Sequence, residues 1–375
     1  MVAAGVVIAQ DSAEGLRKQI EVERRAGRVQ ATEPLLEELL RLESAERGDS
    51  ADELAPILEQ LGRVASVTGR YDRALEMYRR AIQITETARG RNSPALIPIL
   101  QAIVRLQHIA ERFDEAVGTQ TRIISIRLTK SPETKEANAD LAGDYVALAR
   151  LYAAQKKFNQ AAPFYTWAIE LLEKQFGYED ARLLPALDGL ASALREDHKW
   201  EEAIPVSSRA IPIREALLGP MHPDVAQTLD NLGTCYFALK RFADAEPVYA
   251  RSLGIWIKHL GPTHPMVATS LDNLGVTYAS QNKFDKAEEI YRRALEIRDA
   301  EDVASLRNLA TVLMARHRYG EAAPLYKRAL ALMPETSPNL ASTLNDYAEA
   351  LEHVNRRAEA ARVRARAKKV EAAGK

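Results

Sequence analysis

The sequence predicts an all-α chain, folded as a right-handed superhelical solenoid of stacked antiparallel helix pairs. The segment HPDVAQTLDNLGTCYFALKRFADAEPVYARSLGIWIKHLGPT, which starts at His222, is followed 42 residues later by HPMVATSLDNLGVTYASQNKFDKAEEIYRRALEI, which starts at His264. Apolar residues recur at helical spacing inside both segments, and no stretch of the chain alternates like a strand. Short helical repeats bury their apolar faces by stacking on their neighbours, so the period predicts a solenoid.

An aromatic residue marks the predicted start of the second helix in each repeat, and we call this position the anchor. The anchors are Tyr71, Phe113, Phe158, Trp200, Phe242, Phe284 and Tyr319, at spacings of 42, 45, 42, 42, 42 and 35 residues. Three residues after each anchor stands alanine, at Ala74, Ala116, Ala161, Ala203, Ala245, Ala287 and Ala322. A small side chain at this place predicts close approach of two helices.

The anchors divide the chain into four segments. Residues 50–336 hold seven clear repeats. Residues 337–375 form a C-terminal capping repeat with Arg357 at the anchor and Ala360 at the alanine position, after a helix predicted to begin at Pro338. Residues 12–49 are a degenerate first repeat, because Gly27 and Val29 lie 42 residues before Gly69 and Tyr71. Residues 1–11 precede the repeats.

Start and stop signals support these boundaries. Gly261 followed by Pro262 is typical of a helix end. The predicted helix starts are a capping box at Ser50 and Glu53, a cap followed by proline at Ser93 and at Ser337, and a histidine cap before proline at His222 and His264.

The repeat motif resembles a known family. Leu229, Leu232, Gly233 and Tyr236, followed by Ala245, Tyr249 and Ser252, are similar to the tetratricopeptide repeat. The 42-residue period and the LGPxHP linker resemble the kinesin light chain subtype. The resemblance covers roughly residues 50–372 and implies that the first helix of each pair lines a concave groove. Residues 1–49 are too short for the coiled coil of a motor subunit.

Composition argues against several classes of function. The formal net charge is −1, from 51 basic and 52 acidic residues, so no overall field draws in nucleic acid or an anionic membrane. The single cysteine, Cys235, is predicted to be a buried small apolar residue. No nucleotide, metal or catalytic motif occurs, and the seven histidines are dispersed. We therefore predict no enzyme activity, no metal, no cofactor and no membrane span.

The first eleven residues leave the compartment open. Val7, Ile8 and Ala9 end a small apolar stretch that resembles the tail of a secretory signal, although no basic segment precedes it. If Met1 is the true start, residues 1–11 are a disordered tail and the protein is cytoplasmic. If the start lies upstream, they are a signal-peptide remnant and the protein is exported or periplasmic.

Polar residues recur at equivalent positions of the first helices and are the candidate groove residues. Eight residues before the anchor stand Arg63, Arg105 and Arg150; twelve before it stand Asp188, Asp230 and Asp272; eleven before it stand Asn231, Asn273 and Asn308. Phe237 and Met314 are predicted on the same face, as an apolar pocket. Arginine can fork onto carboxylates, and asparagine can bind a peptide backbone through both donor and acceptor.

Two interpretations of these columns stay open. Either they bind a ligand with separated charges, or they record duplication and hydrogen bonding within the stack. The leading hypothesis is a non-catalytic scaffold that binds a protein or peptide segment in the groove. The alternative is a structural or assembly component that acts through its outer face or by self-association. RNA binding is disfavoured, because aspartates in the groove would repel phosphate.

Overall fold

A computed structural model describes residues 12–130, 134–298 and 301–373. In these ranges the chain forms eighteen α-helices and three short 3-10 helices, with no strand among them. The all-α prediction is confirmed, and consecutive helices pack in antiparallel pairs as in a helical solenoid. Residues 1–11, for which a disordered tail or a signal remnant was predicted, lie outside the described ranges.

The helices follow one another with short connections. In chain order they are α1 Ala13–Arg25, α2 Thr32–Arg47, α3 Leu54–Val67, α4 Tyr71–Arg89, α5 Ile97–Ile109, α6 Phe113–Lys130, α7 Lys135–Ala154, α8 Phe158–Phe176, α9 Leu184–Glu196, α10 Trp200–Leu218, α11 Pro223–Ala238, α12 Phe242–Leu260, α13 Pro265–Ser280, α14 Phe284–Ile297, α15 Val303–Ala315, α16 Tyr319–Leu332, α17 Leu340–His353 and α18 Arg357–Ala373. The chain divides into two compact units, Met1–Ala193 (unit 1) and Leu194–Lys375 (unit 2).

Every predicted anchor from Tyr71 to Arg357 is the first residue of a second helix. The eight alanines that follow, from Ala74 to Ala360, are each 0% exposed. In the degenerate first repeat, Val29 opens a short 3-10 helix instead, and Thr32 takes the buried alanine position. The anchor pattern therefore located the second helices because the buried alanine lets them lie close to the first.

The histidine caps are confirmed. Nδ1 of His222 accepts a hydrogen bond from the backbone N–H of Asp224 at 3.2 Å, and Nδ1 of His264 accepts one from Met266 at 3.1 Å. Ser93 also caps, since its hydroxyl accepts from the N–H of Ala95. Each of these polar atoms satisfies a backbone donor that the first turn leaves free.

Two predicted helix starts are wrong. α3 begins at Leu54 after Glu53, which makes no side-chain cap, so Ser50 is not part of a capping box. Backbone turns from Gly48 to Ala51 and from Ala51 to Leu54 lead into this helix instead. Likewise α17 begins at Leu340 and not at Pro338, because the chain after Ser337 makes one more backbone turn before the helix starts.

The turn inside each repeat has one recurrent conformation. The residue two places before the anchor has a positive φ, between 55° and 62°, at Glu111, Lys156, His198, Lys240, Asn282, His317 and Asn355. Glycine takes this place only at Gly27 and Gly69. Because a side chain in this region crowds its own backbone, seven turns hold a residue in a costly conformation.

A glycine in the first helix makes room for a tyrosine of the second. A Cβ added at Gly62, Gly233 or Gly275 would lie 2.6 to 2.7 Å from the ring of Tyr78, Tyr249 or Tyr291 respectively. Real Cβ atoms do not approach carbon so closely, so the ring occupies the space that a side chain would need. The Leu-Gly pair of the repeat motif thus reflects a packing contact within one repeat.

Candidate binding surface on the first helices

A cleft of about 430 Å³ lies between the first helices α3 and α5 of unit 1. Its lining residues are Glu59, Arg63, Ser66, Val67, Tyr78, Pro98, Gln101, Ala102 and Arg105. Two of the three predicted arginines, Arg63 and Arg105, therefore meet at one site. Both side chains are exposed, because residues eight before the anchor point away from the helix pair.

The charge of this cleft is mainly positive. Arg63 donates from Nη2 to Oε1 of Glu59 at 2.8 Å, within one turn of α3. Burial raises the pKa of the Tyr78 hydroxyl, while the positive charges of Arg63 and Arg105 act in the opposite direction. Both guanidinium groups thus lie near one neutral phenol. Arg105 makes no ion pair with any described residue, so its donors are open to a ligand.

The third predicted arginine, Arg150, lies on α7 beside the hydroxyl of Tyr165, which is on α8 of the same repeat. In unit 2 two of the equivalent positions hold threonine, Thr234 and Thr311, and Tyr249 donates to Oγ1 of Thr234 at 3.3 Å. Position eight before the anchor therefore lies next to a buried tyrosine hydroxyl in several repeats. The arginines extend from this place toward solvent.

Two cleft residues were missed from the sequence. Glu59 and Gln101 stand twelve residues before their anchors, in the same column as the three predicted aspartates. Gln101 reaches the buried Asp144, which also accepts from Arg127 and, at 3.1 Å, from Gln120. Burial raises the pKa of Asp144 and the Arg127 charge opposes that shift. Extending the column into the N-terminal repeats would have found both residues.

The aspartates of unit 2 bond within the stack. Oδ2 of Asp230 accepts from Nε1 of Trp256 at 2.9 Å. Asp272 pairs with Arg298, and its Oδ1 accepts from the Ser305 hydroxyl at 2.8 Å. Burial raises the pKa of both carboxyl groups. Asp230 thus ties α11 to α12 of the same repeat, whereas Asp272 bonds both Arg298 at the end of α14 and Ser305 on the next first helix, α15.

The third aspartate, Asp188, is exposed on α9 in unit 1. Of the asparagines, Asn231 accepts from Nη1 of Arg195 at 2.8 Å. Asn273 and Asn308 are half-buried on α13 and α15. The Arg195 contact joins two successive first helices, so Asn231 lies between neighbouring repeats.

The predicted apolar pair packs against the core. Phe237 is half-buried, and its ring centroid lies 5.1 Å from that of Phe242 at the start of the second helix. Met314 is half-buried against the C-terminal core cluster. Phe237 and Met314 therefore each pack against neighbouring core residues of unit 2.

Comparison with known proteins shows the family. The tetratricopeptide repeat family matches residues 11–87, 53–129, 182–258, 232–300 and 302–367, which together are more than half of the chain. The chain belongs to the tetratricopeptide repeat family. No curated protein sequence matches it.

Three solved structures that are similar to this chain illustrate the comparison. The apo form of RapI aligns with a TM-score of 0.57 at 15% identity, over 96% of this chain and 99% of RapI. BtubC (BKLC) from P. vanneervenii aligns at 0.49 and 25% identity, over 65% and 91%. A Podosopora anserina protein described as a kinesin light chain with nearly identical TPR-like repeats aligns at 0.48 and 19%, over 55% and 96%. Of these three structures only RapI has a TM-score above 0.5, and at 15% identity it supports the fold alone.

Two further findings concern the described part of this tetratricopeptide repeat chain. No helix there has both the length and the apolar character that a membrane span requires. No group of three or more histidine, cysteine, aspartate or glutamate side chains is placed there to hold a metal ion.

Proposed function

We propose that this protein is a non-catalytic scaffold that binds an extended segment of another protein along its first helices. The observation that carries the proposal is the cleft between α3 and α5, where Arg63 and Arg105 open toward solvent beside Tyr78. Helical repeat proteins use such extended surfaces for binding, because stacking leaves one face of each first helix uncovered. Membership of the tetratricopeptide repeat family supports this class of function.

The chemistry of the cleft favours acidic residues on the ligand. Guanidinium groups bind carboxylates through two parallel hydrogen bonds, and Arg105 has no carboxylate of its own in the described chain. Further along the chain, Asn273 and Asn308 offer amide donors and acceptors that fit a peptide backbone. We also propose the kinesin-light-chain-like subtype, which the 42-residue period and the capped HP linkers support.

The test is selection of binding peptides from a displayed random 12-residue library, followed by affinity measurement on synthetic peptides. Selected peptides should be rich in aspartate and glutamate. Replacing both arginines, Arg63→Gln with Arg105→Gln, should weaken binding at least about 10-fold, since charged hydrogen bonds contribute roughly 1.5–3 kcal/mol each. Arg41→Gln with Arg357→Gln makes the same charge change elsewhere and should leave affinity unchanged.

Two results would contradict the proposal. One is failure to select any peptide that binds the full chain. The other is equal loss of affinity in the two double variants, which would show that overall charge and not the cleft attracts the peptide. A second pair, Asn231→Ala with Asn273→Ala, tests the asparagine column, with circular dichroism as the check that helicity is kept.

A further inference from the structure

One position of the second helices from α4 onward holds arginine in every repeat but one. Nine residues after the anchor, arginine stands in seven of the eight repeats from residue 50 onward, for instance at Arg80, Arg122 and Arg251. The exception is Trp167 on α8, whose side chain is 47% exposed. A large aromatic side chain in place of a solvated arginine leaves an apolar surface that water does not favour.

The residue that faces this column has changed too. Arg122 and Arg251 bind Glu86 and Glu215, which stand fifteen residues after the preceding anchor. At the repeat of Trp167, the equivalent place in α6 holds Leu128, which is 61% exposed. The ion pair that Arg122 and Arg251 make between successive second helices is thus replaced at Trp167 by two exposed apolar side chains.

A cleft of about 530 Å³ lies one repeat earlier in unit 1, between α4 and α6. Ile82, Leu100 and Ile103 contribute its apolar surface. α6 carries Gly118 five residues after its anchor, where every other second helix from α4 onward carries proline, glutamate or arginine. A Cβ added at Gly118 would meet nothing within 4 Å.

The next repeat shows which side chains fill such a cleft. At the positions of Leu100, Gln107, Thr119 and Arg122 it holds Tyr145, Tyr152, Phe164 and Trp167. These four rings pack together: Phe164 stacks on Tyr152 with centroids 5.6 Å apart and meets Trp167 edge-on at 5.1 Å. An aromatic ring is therefore the side chain that suits the space between two second helices of this chain.

We propose that a second copy of the chain supplies the ring that fills the α4–α6 cleft. The exposed Trp167 on α8 lies on one side of α6, and the α4–α6 cleft lies on the other side. The surface formed by these second helices therefore carries both a protruding aromatic ring and a cleft that could accept one. Two copies related by a two-fold axis near α6 place each Trp167 in the cleft of the other, with Leu128 between them. Such an interface is self-complementary, as two-fold symmetry requires.

The charges on this face fit the same arrangement. Arg79 lines the cleft, and Glu170 stands one helical turn after Trp167. Both are exposed, and neither makes an ion pair with another described residue. When Trp167 of one copy occupies the cleft of the second copy, Glu170 lies beside Arg79 at the edge of that cleft. The dimer uses second helices and the peptide site uses first helices, so this inference does not depend on the proposed function.

The first test is the molar mass of the full chain in solution, by light scattering and sedimentation. We expect a dimer at roughly 100 µM, where a complex with a Kd of about 1 µM is almost fully formed. Trp167→Arg with Leu128→Glu, which restores the ion pair of other repeats, should give a monomer. Gly118→Leu should also give a monomer, because its side chain fills the cleft. Val67→Arg removes an exposed apolar residue of α3 and should leave the dimer intact.

Thermal unfolding checks that each variant is folded, and cross-linking tests the symmetry. The chain's single cysteine, Cys235, is 0% exposed, so Gly118→Cys and Trp167→Cys chains mixed in equal amounts should form disulfide dimers with little background. Each variant alone should cross-link much less. A monomeric wild type, a dimer that survives both Trp167→Arg with Leu128→Glu and Gly118→Leu, or no preference for the mixed pair would overturn the proposal.

Discussion

The glycine beneath the repeat tyrosine offers a sharp test of how these helix pairs pack. We consider Gly233→Ala on α11. A Cβ at this position lies 2.6 Å from Cε1 and 2.7 Å from Cζ of Tyr249. The ring must retreat by roughly 1 Å to reach ordinary carbon contact. Tyr249 is only 4% exposed and its hydroxyl bonds Thr234, so it has little room to move.

Two effects of this substitution oppose one another. Alanine in a helix interior is favoured over glycine by about 1 kcal/mol. Overpacking a full core costs about 1–3 kcal/mol. We therefore expect Gly233→Ala to lower the free energy of unfolding by up to about 2 kcal/mol. The matched control is Gly254→Ala on α12, where a Cβ meets nothing within 4 Å and the helix preference acts alone.

Urea unfolding followed by circular dichroism measures both variants on the full chain. Gly254→Ala should be as stable as wild type or more stable, and Gly233→Ala should be less stable. The double variant Gly233→Ala with Tyr249→Leu should recover part of the loss, which a double-mutant cycle detects as coupling. If Gly233→Ala is as stable as Gly254→Ala, the packing argument for the Leu-Gly pair is wrong.

Three further predictions concern unit 2. Trp256→Phe removes the indole N–H that donates to Oδ2 of the buried Asp230 and should cost about 1–3 kcal/mol in urea unfolding. His222→Ala removes a helix cap and should cost about 1 kcal/mol, measured by thermal unfolding. Burial raises the pKa of Tyr249 and of Tyr326 to about 12, so absorbance at 295 nm should show both ionising later than free tyrosine. Stability should fall as pH rises from about 10 toward 12, because the unfolded chain releases these protons first.

Local sequence signals located most of the second helices. An aromatic anchor followed by alanine is decided by contacts within one repeat, so Tyr71 through Arg357 open helices as predicted. The histidine caps are equally local, since each ring bonds a backbone N–H two residues away. The predicted starts of the first helices at Ser50 and Pro338 were wrong, since the helices begin at Leu54 and Leu340. Backbone turns precede both helices, and the serine and proline signals do not distinguish such a turn from a helix start.

The candidate surface was harder to predict. Asp230 and Asp272 share a column with Glu59 and Gln101, yet the first two make buried hydrogen bonds within the helix stack while the other two line a cleft. The difference depends on the partner fourteen residues after the anchor, which is Trp256 in one repeat and another residue elsewhere. A period identifies equivalent positions, but contacts with non-equivalent neighbours decide which of them meet solvent.

The positive-φ residue in each turn has a consequence for how the array can be adjusted. A lysine or histidine at this place holds the backbone in a conformation that it disfavours, and glycine at Lys240 would relieve the crowding. Since every repeat contacts only its neighbours, such a change would stabilise one repeat and leave distant repeats unchanged. The turn residue of each repeat thus adjusts the free energy of local unfolding of that repeat separately from the others.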